Sequence, residues 1–277
     1  MISPGEEAFI RKHAYIPEHL PAYAAAVSRG EPFLDGDFVF YASPDSLVFV
    51  GFPLRGPFEG KKMAQTLDAL VRKRSPSRVV LLAPSLPARF GPGGTPDSYY
   101  RLDLEGFRTP AKVKNMIQRA SRELRVEAGG KLEPDHLRII SEFSGTRPME
   151  EGTRTILTRI PEYLSASPTA RVFSARTGRG DLAAFDVAEF APRRYAFYMF
   201  NFRSRKETVP GTSDLLLAEI VRTAQEQAKG AINLGLGISP GVAYFKKKWG
   251  GRPFLEHRSV AYQPAPAVFL DGLLSKL

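Results

Sequence analysis

The chain has no cysteine. Disulfides and thiolate metal sites are therefore excluded, although this fixes no compartment. Histidine is scarce as well. His13, His19, His136 and His257 are scattered, and none has a partner four residues away on a helix, so no metal site is expected. No apolar run reaches the roughly 18–20 residues that a bilayer-spanning helix requires. The first residues, MISPGEEAFIRKH, lack the apolar core of a signal peptide. The expectation is a cytoplasmic protein without a membrane span.

Positive charge is abundant. Lys and Arg number 39 against 29 Asp and Glu, a formal net charge of +10. Such an excess either forms a solvated basic surface or favours anionic partners such as RNA, phosphorylated metabolites, coenzyme A or acidic lipid. The 277 residues suit about two domains.

The stretch INLGLGISPGVAYFKKKWGG, residues 232–251, carries two familiar patterns. GISPG satisfies G-x-S-x-G, the hydrolase nucleophile elbow. That elbow needs a backbone N–H on the residue after serine, and Pro240 has none. The required order of serine, acid, then histidine also fails. His257 precedes Asp271, and Glu256 is its sequence neighbour. A dinucleotide loop fails on spacing, because Gly235, Gly237 and Gly241 give G-x-G-x-x-x-G. Too little chain follows Gly251 to complete such a domain. The GLG reads instead as the end of a buried strand where backbones or a ligand approach closely.

The two halves repeat one order of elements. Residues 171–175, 182–190 and 195–202 are β-branched and aromatic, and turn signals separate them. A basic loop, RSRKETVPGTS, follows, then a helix from about Asp214 to Lys229, the strand 231–236, a short helix VAYFKKKW and a strand near 257–262. The N-terminal half echoes this with strands 37–42 and 47–52, a loop with Arg55 and Gly56, a helix 61–74 and the strand 78–83. Between the halves, TPAKVKNMIQRASRELRVE reads as one helix, with Thr109 as N-cap and Pro110 at the first position. Val113, Met116, Ile117, Ala120 and Leu124 form its apolar stripe. Lys112, Lys114, Arg119, Arg122 and Arg125 form the opposite face, which is either solvated or tracks a polyphosphate backbone. Helical stretches near 134–144 and 153–165 follow.

These residues resemble the FemABX aminoacyltransferases and their GNAT-fold relatives. Two stretches carry the resemblance. YYRLDLEGFRTPAKVKNMIQRASRE (99–123) is similar to the family's strand and helix at the domain junction. PGTSDLLLAEIVRTAQEQAKGAINLGLGISPGVAYFKKKWGG (210–251) is similar to its helix, strand, glycine turn and Phe–Lys ending. The resemblance implies an α/β (α+β) protein of two tandem GNAT-like domains, 1–108 and 109–277, with mixed sheets flanked by helices. It also implies that Phe245 and Lys246 lie at the acyl donor, with Lys246 stabilising negative charge there. The chain is short for the family, and neither a coiled-coil arm nor a membrane domain is expected.

The residues themselves add candidates. Arg203, Arg205 and Lys206, with Gly211 and Thr212 just before a helix, suit an anionic donor. Arg119 and Arg122 extend that basic surface. Coenzyme A usually meets a glycine-rich loop here, whereas this loop has one glycine and a proline. Asp186 and Glu189, on opposite faces of their strand, are both candidate bases. Tyr198 and Asn201, near the end of the next strand, are candidate substrate contacts. The reading is an N-acyl or aminoacyl transferase that moves an acyl group from an anionic donor to an amine. Aminoacyl-tRNA or acyl-CoA would be the co-substrate, and no tightly bound cofactor is expected. The alternatives are an acyl-CoA-dependent N-acyltransferase and a non-catalytic basic RNA-binding or scaffold protein on a degenerate GNAT fold.

Overall fold

The computed structural model describes residues 2–91, 95–145 and 148–264. Asp271 lies outside them. The N-terminal half holds helices α1 (Pro4–His13) and α2 (Pro21–Ser28) and strands β1 (Glu31–Asp35), β2 (Phe38–Ala42) and β3 (Ser46–Val50). Helix α3 (Gly60–Arg74) and strands β4 (Arg78–Ala83) and β5 (Asp97–Asp103) complete it. The C-terminal half begins with α4 (Ala111–Ala120) and β6 (Leu124–Gly129), then α5 (Pro134–Gly145), α6 (Glu151–Thr158) and α7 (Ile160–Ala166). Next come β7 (Ala170–Thr177), β8 (Leu182–Glu189), β9 (Tyr195–Arg203), α8 (Thr212–Glu226), β10 (Ala231–Leu236), α9 (Pro240–Lys248) and β11 (Arg252–Tyr262).

Each half is an antiparallel meander followed by a crossover helix and one parallel strand. β3 pairs in parallel with β4 across α3, and β9 with β10 across α8. At the centre the halves exchange strands, in the sheet order β1-β2-β3-β4-β11-β5-β10-β9-β8-β7-β6. β5 follows β4 in sequence but pairs with β10. β11 follows β10 but pairs with β5 through His257 and with β4 from Arg258 onward. The expected division at 108/109 falls in the loop between β5 and α4.

β8 reads LAAFDVAE and is buried along its whole length, because both faces of the sheet are covered there. One face packs on α4, α8 and α9 through Val113, Leu216, Ile220 and Trp249. The other packs on α5–α7 through Ile139, Ile160 and Tyr163. In the N-terminal half, Met63, Leu67 and Leu70 of α3 cover the sheet. Helix α1 starts with a complete capping box between Ser3 and Glu6.

Three local expectations are corrected. The inter-half helix stops at Ala120, and residues 124–129 form edge strand β6 against β7. Its LRVE alternates with a period of two, so Leu124 and Val126 reach the core while Arg125 is exposed. The N-cap is Pro110, with no side-chain cap. The stretch 153–165 is two helices, because Pro161 cannot continue the first.

The exchange predicts mutual dependence. Fragments 1–108 and 109–277 produced separately should show neither native circular dichroism nor protected amides, whereas co-expression should restore both. Either fragment folding alone would contradict the shared sheet.

Candidate active site

The parallel pairing of β9 and β10 lasts three residues, Tyr195↔Ala231, Ala196↔Ile232 and Phe197↔Asn233. Then the strands part. β10 bulges between Asn233 and Leu236 as it pairs with β5, and Gly235 takes φ +78°, a conformation open to glycine. The Asn233 amide fixes this kink, with Oδ1 accepting from Gly235 N at 2.8 Å and Nδ2 donating to Tyr15 O at 2.8 Å. β9 carries a bulge too: Val187 faces Phe200 and Ala188 faces Tyr198, which leaves Met199 extra. Tyr198 and Asn201 would otherwise point to opposite faces; the added residue turns them to the same one. The outcome is a wedge at the carboxyl ends of two parallel strands, where open α/β sheets bind ligands.

Lys246 reaches the wedge from α9. Ser239 caps that helix, its Oγ accepting from Val242 N, and Pro240 occupies the first turn. Ser239 is thus a cap, not a nucleophile. Both oxygens of Asp97 hold the preceding turn, accepting from Gly237 N at 2.9 Å and Ile238 N at 2.8 Å. Lys246 is only 3% exposed. Its Nζ donates to the Leu236 carbonyl and lies 5.8 Å from the Tyr100 ring centroid. A methyl group at Gly235 would sit 3.5 Å from that Nζ and 3.6 Å from the Tyr198 carbonyl, so the lysine tip and the β9 bulge flank one glycine. Burial pushes the Lys246 ammonium down to about 7, and Asp97 partly opposes the shift. Its neighbours differ. Lys247 is exposed, and Lys248 is ion-paired to Asp214 at 2.6 Å. Asp214 also accepts from Trp249 Nε1 at 2.9 Å, which ties α8 to the end of α9. Phe245 is partly buried against the same core.

On the same sheet face as Tyr198 stands Asp186, 0% exposed. Its Oδ1 accepts from Asn201 Nδ2 at 2.5 Å. Its Oδ2 has no hydrogen-bond partner among the described residues. Burial raises the carboxyl to about 8, against the opposing pull of Asn201 and Tyr198. Glu189 is different in kind. It accepts from the Tyr163, Ser167 and Thr169 hydroxyls and from the N–H groups of Phe190 and Ala191. Five donors make it a structural carboxylate.

The basic candidates lie at the end of β9, in the β9–α8 loop and at the end of α4. α4 packs on α8, and Gly211 lies so close to Met116 that a Cβ there would collide with the Met116 carbonyl. Arg203, Arg205, Lys206, Arg119 and Arg122 are all exposed, and among the described residues none is in a salt bridge. Thr212 is buried, and its hydroxyl donates to Val209 O at 2.5 Å.

One cluster escaped the sequence reading. Glu133, Asp135 and His136 converge as a metal site would. Arg176 already serves as their cation, 2.5 Å from Asp135 and 2.9 Å from Glu133. His136 is further tied to Ser174 at 2.7 Å.

No protein-family model and no curated protein matches the sequence. Solved structures do match the fold. FemX superposes with a TM-score of 0.62 at 10% identity over 100% of this chain and 98% of that one. L-PGS from Bacillus licheniformis gives 0.58 at 14% identity over 99% and 96%. A tandem GNAT protein from the clavulanic acid biosynthesis pathway gives 0.54 at 12% identity over 96% and 97%. The fold is therefore the tandem GNAT, FemX-like one. Among the described residues no helix is long and apolar enough to cross a membrane.

Asp186 should leave a signature in stability. Its folded-state value, about 8, lies above the ordinary 3.8. The stabilisation is fully present below the ordinary value and is lost as pH rises through about 8. Lys246 acts in the opposite sense but is common to wild type and variant. Asp186→Asn should therefore lose less stability than wild type between pH 5 and pH 9. Urea melts at both values test this, and equal losses would mean that Asp186 is ionised throughout.

Proposed function

We propose that this chain is an N-acyl or aminoacyl transferase that moves an acyl group from an anionic, activated donor to an amine. The observation that carries the reading is the buried Lys246 at the wedge of a fold shared with FemX and L-PGS. In this reading, residues 1–108 and 109–277 are two GNAT-like units acting as one.

Acyl transfer needs the donor carbonyl fixed and its developing oxyanion stabilised. The donor carbonyl enters between β9 and β10, with its acyl carbon beside Gly235. Lys246 Nζ exchanges its bond to Leu236 O for the oxyanion. A group with a value near 7 is only partly charged in the free protein. An incoming anion raises that value, so the charge is complete when it is needed. Burial strengthens the interaction, because little water screens it. Phe245 shapes the apolar wall next to the lysine. Tyr198 and Asn201 face the acceptor.

The donor favoured is an aminoacyl-tRNA. Arg203 at the end of β9, Arg205 and Lys206 in the β9–α8 loop, Arg119 near the end of α4 and Arg122 in the turn after it are all exposed cations, a set suited to an extended phosphate backbone. Such a donor implies a cytoplasmic enzyme. An acyl-CoA donor is the second reading, favoured by the α8 N-terminus next to the wedge. The buried Thr212 hydroxyl and the closely packed Gly211 count against it.

Lys246→Met should keep the melting temperature and cut transfer by about 10²–10³-fold, the usual cost of removing one oxyanion donor. Lys247→Met, on the exposed side, is the control. Measured with labelled aminoacyl-tRNA and acyl-CoA pools, equal activity of the two variants would reject the catalytic reading and leave a basic binding protein.

Binding of tRNA should weaken steeply with salt, and Arg119→Ala with Arg122→Ala should reduce that slope by about one unit for each phosphate no longer neutralised. A filter-binding series from low to high salt decides it. An unchanged slope would leave these two arginines merely solvated.

A further inference from the structure

A buried carboxyl with one unpartnered oxygen is costly, and such groups cluster at functional sites. Asp186 is that group here. It sits on β8 directly across from Asn201 of β9, and Asn201 is exposed. The Asn201 amide therefore forms a thin cover between the buried acid and solvent. Because Nδ2 donates inward to Asp186 at 2.5 Å, and lies 3.4 Å from Ser213 Oγ, the amide is oriented with its carbonyl oxygen free to accept. Asp186 Oδ2 and Asn201 Oδ1 are acceptors, and the Tyr198 phenol lies beside the acid. Two acceptors on directly paired residues and an aromatic ring suit a primary ammonium group. Tyr198 also ties this spot to the lysine, since its carbonyl and Lys246 Nζ border the same point at Gly235.

We propose that Asp186, with Asn201 and Tyr198, is the site that receives the ammonium of the acceptor substrate and takes its proton. The proposal rests on the transferase reading above. It assigns the acceptor as a primary amine that arrives protonated.

The step balances as follows. The ammonium R–NH3+ passes one proton to the Asp186 carboxylate and becomes the neutral amine. The nitrogen lone pair forms a bond to the donor acyl carbon, and the ester C–O bond breaks. The nitrogen's surplus proton goes to the leaving oxygen. Asp186, which gave up its own proton when the ammonium bound, now holds the one taken from it and is back in its resting form, so one proton is released per amide formed.

The surroundings of the acid support this. The groups that face it are the Tyr198 phenol and the Asn201 amide, with Asp214 beyond Tyr198 and already neutralised by Lys248. Burial holds Asp186 protonated up to about pH 8 in the free protein. A bound ammonium favours the ionised form, so amine binding at pH 7 should release a proton.

The test uses two acceptor probes, ethylamine, which is protonated at pH 7, and hydroxylamine, which is already neutral. Labelled aminoacyl-tRNA is the donor. Asp186→Asn should slow transfer to ethylamine by about 100-fold or more, the scale of general base catalysis, and slow transfer to hydroxylamine less than about threefold. Asn201→Ala, at an exposed position, should weaken ethylamine use while leaving the fold untouched. Calorimetry of ethylammonium binding in two buffers of different ionisation enthalpy should show proton release by wild type and none by Asp186→Asn. Equal effects on both probes, or no effect on either, together with no proton release, would overturn the assignment. If wild type releases the proton but transfers to neither probe, the ammonium site stands and the transferase reading falls.

Discussion

The Asn233 side chain is the small clamp on which the site depends. It is wholly buried and spans two elements, the kinked β10 at Gly235 and the N-terminal segment at Tyr15. A plain β-strand would have continued beside β9 and closed the wedge. A carboxamide can both accept and donate, so one side chain supports the kink and pins the segment that covers it. The parting of β9 and β10 is thus built into the hydrogen-bond ladder. That suits a site whose donors must be aimed before the reaction starts.

Lys246 and Asp186 are displaced in opposite directions. Lys246 is lowered toward neutrality and Asp186 is raised toward it, each chiefly by burial. In an ordinary core, both would be destabilising choices compared with apolar residues of the same size. Glu189, three residues along the same strand from Asp186, shows the structural solution, a carboxylate saturated by five donors. Two buried carboxyls on one strand therefore separate by partner count alone. The unsaturated one lies on the face of α8, Tyr198 and Lys246.

Much of the fold was legible. The repeated meander–loop–helix–strand order appeared in the periodicities, and β4, β10 and α3 lie within a residue or two of their expected bounds. The resembling motif singles out Lys246, but its burial was not legible, because three consecutive lysines look alike until α9 is docked. Asp186 and Glu189 could not be ranked, since partner count depends on α7 and β9, far away in sequence. The kinship of Tyr198 and Asn201 was hidden by a bulge that no residue type announces. The exchange of β5 and β11 was hidden too, since pairing partners are non-local. Helices α1 and α2 were not among the expected elements, although SPGE carries a capping-box signature at Ser3 and Glu6.

The exchanged strands bear on how such a chain can arise. A single unit of this topology, cut loose, has an empty slot beside its parallel strand and a surplus strand after it. Two identical copies satisfy each other by a two-fold swap, the self-complementary arrangement from which closed dimers are made. Joining the copies head to tail preserves every pairing and frees each from having to be its own partner. From then on, one unit can specialise while the other contributes a single strand. Here the donated strand β5 brings Asp97 and Tyr100 to the wedge of the other unit. The N-terminal half thereby helps to build the wedge of the C-terminal half.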